Sequence, residues 1–172
     1  MHPSHPIDGV HLAGLVHVGL YGPDGHLLDE ELVCNLVTQT GDQFYGERAA
    51  GISSPPAQVT GMQLGTGTTA AAKTGAGAAI VTYISGSAVA IDGTYPQSSL
   101  SGSSRRISWR TTWPAGTATN AAITEVSLIN QSVGTDSGAA AAATIARAVF
   151  SAKAKGASDS LVVSWTHDLL GA

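Results

Sequence analysis

Alternating apolar and polar positions dominate the chain and predict β-strands. Ile107, Trp109, Thr111 and Trp113 fall at every second position and therefore share one face of a strand. A second alternation sets five residues on one face: Leu161, Val163, Trp165, His167 and Leu169. Two stacked sheets cover such faces most simply. We predict an all-β fold, an antiparallel β-sandwich of about eight strands, with jelly-roll connections as one option.

The beginning of the pattern predicts a hairpin and then one short helix. Residues 12–21 and 26–36 form two strands around Gly22-Pro23-Asp24-Gly25, a sequence typical of a turn. The helix is expected near residues 40–50. Thr38 or Thr40 would cap its start, and Gly51 would end it.

The remainder of the chain predicts strands joined by small-residue connections. Six further strands are expected at residues 59–65, 79–90, 105–113, 123–130, 144–152 and 160–170. The connections between them are rich in Gly, Ala, Ser and Thr, and none has the character of an interdomain linker. We therefore expect residues 11–172 to form a single β-sandwich domain, preceded by an extended N-terminal arm at residues 1–10.

Charge is scarce in this sequence. Charged residues make up 12% of the chain, about half of the usual share, while hydrophobic residues make up 43%. A surface with few charges suits prolonged contact with other protein, so we interpret the chain as a subunit of an assembly. A small monomer with a neutral surface is the alternative. The net charge of −4 argues against a nucleic-acid partner.

The compartment is indicated by three further features. The first residues lack the basic head and apolar run of a signal peptide, and no run of about 18 apolar residues predicts a membrane span. The sequence thus predicts a product made in the cytoplasm, with no membrane partner. The single cysteine, Cys34, suits a reducing compartment, and its apolar neighbours predict a small buried side chain.

Catalytic and metal-binding patterns are weak. The run from Gly67 to Thr74 approaches a phosphate-binding loop, but Ala72 stands where that loop needs its second glycine. The six histidines show no ligand spacing on one fixed element, and the acids at 29–31 indicate a charged strand edge. His167 is interpreted as a hydrogen-bonded histidine of a sheet. We expect neither an enzyme nor a cofactor or metal site.

The order of several motifs along the chain resembles a known group of proteins. The motifs are, in order, Asn35-Leu36-Val37-Thr38, Met62-Gln63-Leu64-Gly65-Thr66-Gly67, Trp113-Pro114-Ala115-Gly116, Ile123-Thr124-Glu125-Val126, Ala146-Arg147-Ala148-Val149-Phe150, and Lys155 to Trp165. From about Leu12 onward the chain resembles small virion proteins of tailed bacteriophages, described as head-fibre, capsid cement or decoration, or tail-fibre-like proteins.

This resemblance implies a non-catalytic β-sandwich of the virion. The expected role is capsid cement or decoration, with the major capsid protein and further copies of the chain, as a dimer or trimer, as partners. The alternative role is a tail or fibre component that contacts the host surface. The interface candidates are His2 and His5 in the arm, and Trp113 and Pro114 at a strand end.

Overall fold

The computed structural model describes residues 11–170, which form two sheets and one α-helix. The strands in chain order are β1 (His11–Tyr21), β2 (Leu27–Cys34), β3 (Leu36–Val37), β4 (Gly61–Gly65), β5 (Val89–Ala90), β6 (Gln97–Ser101), β7 (Ser104–Trp113), β8 (Asn120–Ile129), β9 (Thr144–Lys155) and β10 (Ser160–Leu170). Helix α1 spans Gln39–Ala50, and two short 3₁₀ turns lie at Gly75–Ala78 and Ala141–Ala143.

Each sheet has five strands. We name them sheet A, with the order β2-β1-β10-β7-β6, and sheet B, with the order β3-β9-β8-β4-β5. All strand pairs are antiparallel. The predicted all-β sandwich is confirmed, with ten described strands rather than about eight. Consecutive strands pair within one sheet as β1–β2, β4–β5, β6–β7 and β8–β9, so the connections give the jelly-roll option no support.

The core lies between the two sheets and follows the predicted alternation. Val163 and Trp165 of β10 are fully buried, while the intervening Ser164 is only partly so. Trp109 is also buried, as its mid-strand position predicts. From the opposite sheet, residues such as Leu64 and Val126 join the same apolar cluster. Burial of these side chains provides the main stabilising free energy.

Helix α1 begins and ends as the sequence predicts. Thr38 is the N-cap, and its hydroxyl accepts a hydrogen bond from the Gly41 amide. Gly51 ends the helix in the left-handed conformation with φ of 67°. Phe44 is buried in the core cluster. The helix thus covers one end of the sandwich.

Three local predictions are wrong. Residues 79–90 do not form one strand: Val89–Ala90 form a short strand and Tyr83 makes a single bridge to Gly65, while the amides of Val81 and Thr82 bind a carboxylate. Strand β6 was not predicted, since Gln97–Ser101 contains no β-branched or aromatic residue. Cys34 is exposed on the edge strand β2 rather than buried.

Candidate functional site

The predicted interface residues fall into three different environments. His2 and His5, with the predicted arm at residues 1–10, lie outside the described residues. Trp113 is fully buried, and its indole nitrogen donates a hydrogen bond to the Ser87 carbonyl at 2.7 Å, so its side chain belongs to the core and not to an exposed interface. Pro114 is exposed at the end of β7. Of the four candidates, Pro114 alone is placed on a described surface.

The outer face of sheet B is covered by the chain itself. The side chains of Glu125 on β8 and Arg147 on β9 form an ion pair at 2.6 Å, and both are inaccessible to solvent. Arg147 also donates to the carbonyls of Thr69 and Gly77, which belong to the connection between β4 and β5. This connection, residues 66–88, is therefore fixed over sheet B by a buried charge pair.

The carboxylate of Glu125 serves as the acceptor for several backbone amides of that connection. The amides of Gly67, Val81 and Thr82 donate to it. The segment that resembles a phosphate-binding loop therefore uses its Gly67 amide for an internal carboxylate. A side chain at Gly65 or Gly67 would overlap the Glu125 carboxylate, so both glycines are needed for this close approach.

The outer face of sheet A is open to solvent. Arg106 and Asp168 form a two-pronged pair on this face at 2.8 Å, and this hydrogen bonding lowers the pKa of Asp168 and raises that of Arg106. His17 contacts Glu30 at 2.8 Å. The polar groups on this face are paired but accessible to solvent, whereas the Glu125–Arg147 pair of sheet B is inaccessible.

A seam between β2 and β9 closes one side of the sandwich. The Glu31 carboxylate accepts from the Ser151 amide at 3.0 Å, and the Lys153 ammonium contacts both Asp29 and Glu31. Burial disfavours the charge on Lys153, but the two carboxylates outweigh this effect and raise its pKa. The acids predicted as a charged strand edge therefore bind the neighbouring edge of sheet B.

His167 is held in a buried network at the end of the sandwich near α1. Its Nε2 atom accepts from Asn35 and Trp165, at 2.8 and 3.0 Å, so the proton lies on Nδ1 and is donated to the Tyr45 hydroxyl. Burial lowers the pKa of His167 to about 3. The prediction of a satisfied sheet histidine is confirmed. A neutral, enclosed imidazole with three partners is a structural group.

An apolar groove of about 660 Å³ lies between α1 and the end of sheet A. The groove is lined by residues that include Leu12, Tyr45, Ile107 and Leu169. The charged Arg48 also lines it. Its size falls within the range of ligand sites, but its lining brings no cluster of catalytic groups together. It provides an apolar contact surface.

Residues 11–170 contain neither a metal-binding cluster nor a membrane-spanning helix. In this part of the chain no three His, Cys, Asp or Glu side chains lie close enough together to hold a metal ion. Over the same residues no helix is long and apolar enough to cross a membrane.

The fold and surfaces define the class as an antiparallel β-sandwich with two five-stranded sheets. No protein-family model, curated protein or solved structure matches the chain. The function is therefore inferred from the chain's own residues and from the order of its motifs.

Proposed function

We propose that this chain is a non-catalytic structural component of a tailed-phage virion, and that it acts as a capsid cement or decoration protein. Its partners would be the major capsid protein and further copies of the chain. The order of motifs described above supports the viral origin, and the surface supports the assembly role.

The observation that carries the assembly role is the internal use of charge. Five of the eight Lys and Arg side chains form ion pairs with carboxylates of the same chain: Lys73, Arg106, Arg110, Arg147 and Lys153. Groups that are already paired present little unpaired charge to be stripped of water when a partner binds. Desolvation of unpaired polar groups is a main unfavourable contribution to the free energy of association. A surface whose charges are already paired can therefore bind another protein with a small desolvation penalty.

Exposed apolar side chains provide the complementary attraction. Leu15 on β1 pairs with Cys34 on β2, and Leu32 follows on the same outer face, so the three exposed side chains form one patch. Leu32 is 60% exposed. Apolar patches on a polar surface are typical of contact sites between proteins.

The mechanism is one of many weak, repeated contacts. A rigid sandwich that binds each shell subunit stabilises the bound state by mass action, and contacts repeated over a lattice add up without any single strong site. Catalysis plays no part in this mechanism.

Copy number in purified particles tests the proposal. Quantitative mass spectrometry, with the major capsid protein and a tail protein as internal standards, should give a copy number that scales with the capsid protein. A copy number that matches the tail protein would instead assign the chain to the tail or fibre. Absence of the chain from purified particles would contradict a virion role altogether.

Deletion of residues 1–10 tests the contribution of the arm to capsid binding. We expect lower occupancy on particles, because the arm would reach a neighbouring subunit. The control is the thermal unfolding of the truncated protein, which should match that of the full chain. Unchanged occupancy would show that the arm has no part in binding.

A further inference from the structure

The open edge of strand β6 is a contact surface that the proposed function does not use. Strand β6 is the last strand of sheet A in the described part of the chain, and it pairs only with β7. Four of its five residues are exposed, and Leu100, at 71%, is the most exposed of the large hydrophobic side chains between residues 12 and 169. An unprotected edge of this kind is a template for pairing with another strand.

The opposite edge of sheet A is protected by charge. Strand β2 carries Asp29, Glu30 and Glu31, and its carboxylates also cover the free edge of β9 at Ser151. Acidic side chains on an edge repel an incoming strand and are a common protection against edge-to-edge association. The acidic side chains of β2 therefore protect this side of the sandwich against pairing with another strand.

Two further stretches of edge, on β4 and β7, are covered by the chain's own backbone. Beyond β5, the free side of β4 binds the connection between them, since the Ile84 amide donates to the Leu64 carbonyl. The half of β7 that extends beyond β6 is covered by Asp92, whose amide donates to the Arg110 carbonyl and whose carboxylate accepts from the Thr112 amide. Strand β6 has neither kind of protection.

The turn between β6 and β7 determines which backbone groups of β6 face outward. Ser101 pairs with Ser104 across Gly102 and Ser103, and Gly102 has φ of 62°, as the first position of a type II′ turn requires. The pair that flanks such a turn is hydrogen-bonded, and the pattern alternates along an antiparallel ladder. Ser98 and Leu100 therefore direct their N–H and C=O groups to the open edge.

We propose that the β6 edge pairs antiparallel with the β6 edge of a second copy of this chain. Residues 97–101 carry no charge, so a two-fold axis at this edge brings no like charges face to face. The same arrangement at β2 would oppose three acids to three acids. The chemistry of the two edges thus selects β6 for self-association.

The nearest ionised group does not oppose this pairing. Arg105 lies opposite Leu100 on β7, one strand inward from the edge. In the paired state the two copies of Arg105 would be separated by three strand spacings, roughly 14 Å, which exceeds the screening length of about 8 Å at physiological salt. Repulsion between them is therefore small.

The pairing would form one continuous sheet of ten strands, and it would be weak. Pro96 precedes β6, so only five residues per copy contribute to the ladder. Contacts of this size fall at the small end of specific interfaces and become effective when copies are held close together. The pairing is a property of the isolated chain and does not depend on a virion role.

The test compares three single variants with the unmodified chain by sedimentation velocity over a range of concentrations. Leu100→Lys places a charge on the pairing edge, and Leu100→Pro removes an outward N–H that the chain's own sheet does not use. Leu28→Lys makes the same chemical change at an exposed position of the opposite edge strand, β2, and is the matched control. Thermal unfolding of each variant establishes that it is folded.

We expect the unmodified chain and Leu28→Lys to show the same concentration-dependent dimer. Both Leu100 variants should raise the dimer dissociation constant at least about tenfold. A dimer that Leu28→Lys abolishes, and that the Leu100 variants retain, would place the contact on β2 and overturn the proposal. A chain that stays monomeric at all concentrations would also overturn it, as would a dimer that appears only after residues 1–10 are deleted, which would indicate that the arm covers the edge.

Discussion

The outer faces of the two sheets use similar chemistry in opposite ways. On sheet B, Glu125 and Arg147 form an ion pair that is sealed beneath residues 66–88. On sheet A, Arg106 and Asp168 form a pair of the same type, in which the guanidinium donates to both carboxylate oxygens, but water reaches both side chains. The difference is that one face is covered by the chain and the other is left free.

This contrast shows what decides the energetic importance of an ion pair. A charge beneath a covering segment cannot be solvated if its partner is removed, whereas a charge on an open face returns to water. Sheet B therefore depends on its pair for the position of a whole connection. Sheet A keeps its pairs as a surface feature and remains available to a partner.

The largest effect is expected when the covered pair is broken. Glu125→Gln leaves Arg147 with a buried, uncompensated charge and weakens the acceptor for three backbone amides. We expect a loss of about 3–5 kcal/mol in the free energy of unfolding, measured by urea denaturation.

The matched control for that change is Asp168→Asn on the open face. Its partner Arg106 is 37% exposed, so the expected loss is at most about 1 kcal/mol. Equal losses in the two variants would contradict the contrast between the faces.

A smaller effect is expected from a methyl group added beneath the connection. Gly65→Ala would overlap the Glu125 carboxylate and the Thr82 carbonyl, neither of which can move without breaking the attachment of the connection. We expect a loss of up to about 3 kcal/mol in thermal or urea unfolding. On the open face, the methyl group of Gly19→Ala meets only the ring of Tyr21, which can rotate away, so its loss should be clearly smaller.

The dependence of the free energy of unfolding on pH should report the burial of His167. The pKa of His167 is lowered to about 3, so the unfolded chain, with a usual histidine pKa near 6.5, binds the proton more readily. Stability should therefore fall as the pH is lowered below about 6.5. The expected loss between pH 7 and pH 5 is about 2 kcal/mol.

Urea denaturation of the His167→Gln variant at several pH values checks this assignment. The variant loses hydrogen bonds and should be less stable at pH 7, but its stability should vary much less between pH 7 and pH 5. An unchanged dependence on pH would mean that another group titrates in that window.

The strands with one covered face were predictable from the sequence. In β10 the alternation through Val163, Trp165 and His167 follows directly from the pleat, and the burial of all three confirms it. The N-cap at Thr38, one of the two caps expected from the sequence, could also be predicted, because capping depends on a few adjacent residues. Local rules suffice where neighbours in the chain determine the structure.

The covered face of sheet B was not predictable in the same way. Glu125 and Arg147 interrupt otherwise apolar strands, which signals a buried pair only once residues 66–88 are known to lie above them. That segment forms no continuous strand, because its amides bind Glu125 instead of a ladder. Trp113 was similarly misjudged: its position at a strand end gives no sign that Ser87 meets its indole nitrogen. These contacts join distant parts of the chain.

The seam between β2 and β9 makes the two flanks of the sandwich unequal. Because Glu31 and its neighbours bind Ser151 and Lys153, the described chain has one guarded flank and one bare flank. A subunit that can pair at both edges of its sheet assembles into a fibril without limit. A subunit that can pair at one edge only forms a closed dimer. If copies pair through β6 as proposed, the three acids on β2 would limit the assembly to a closed pair and prevent the growth of a fibril.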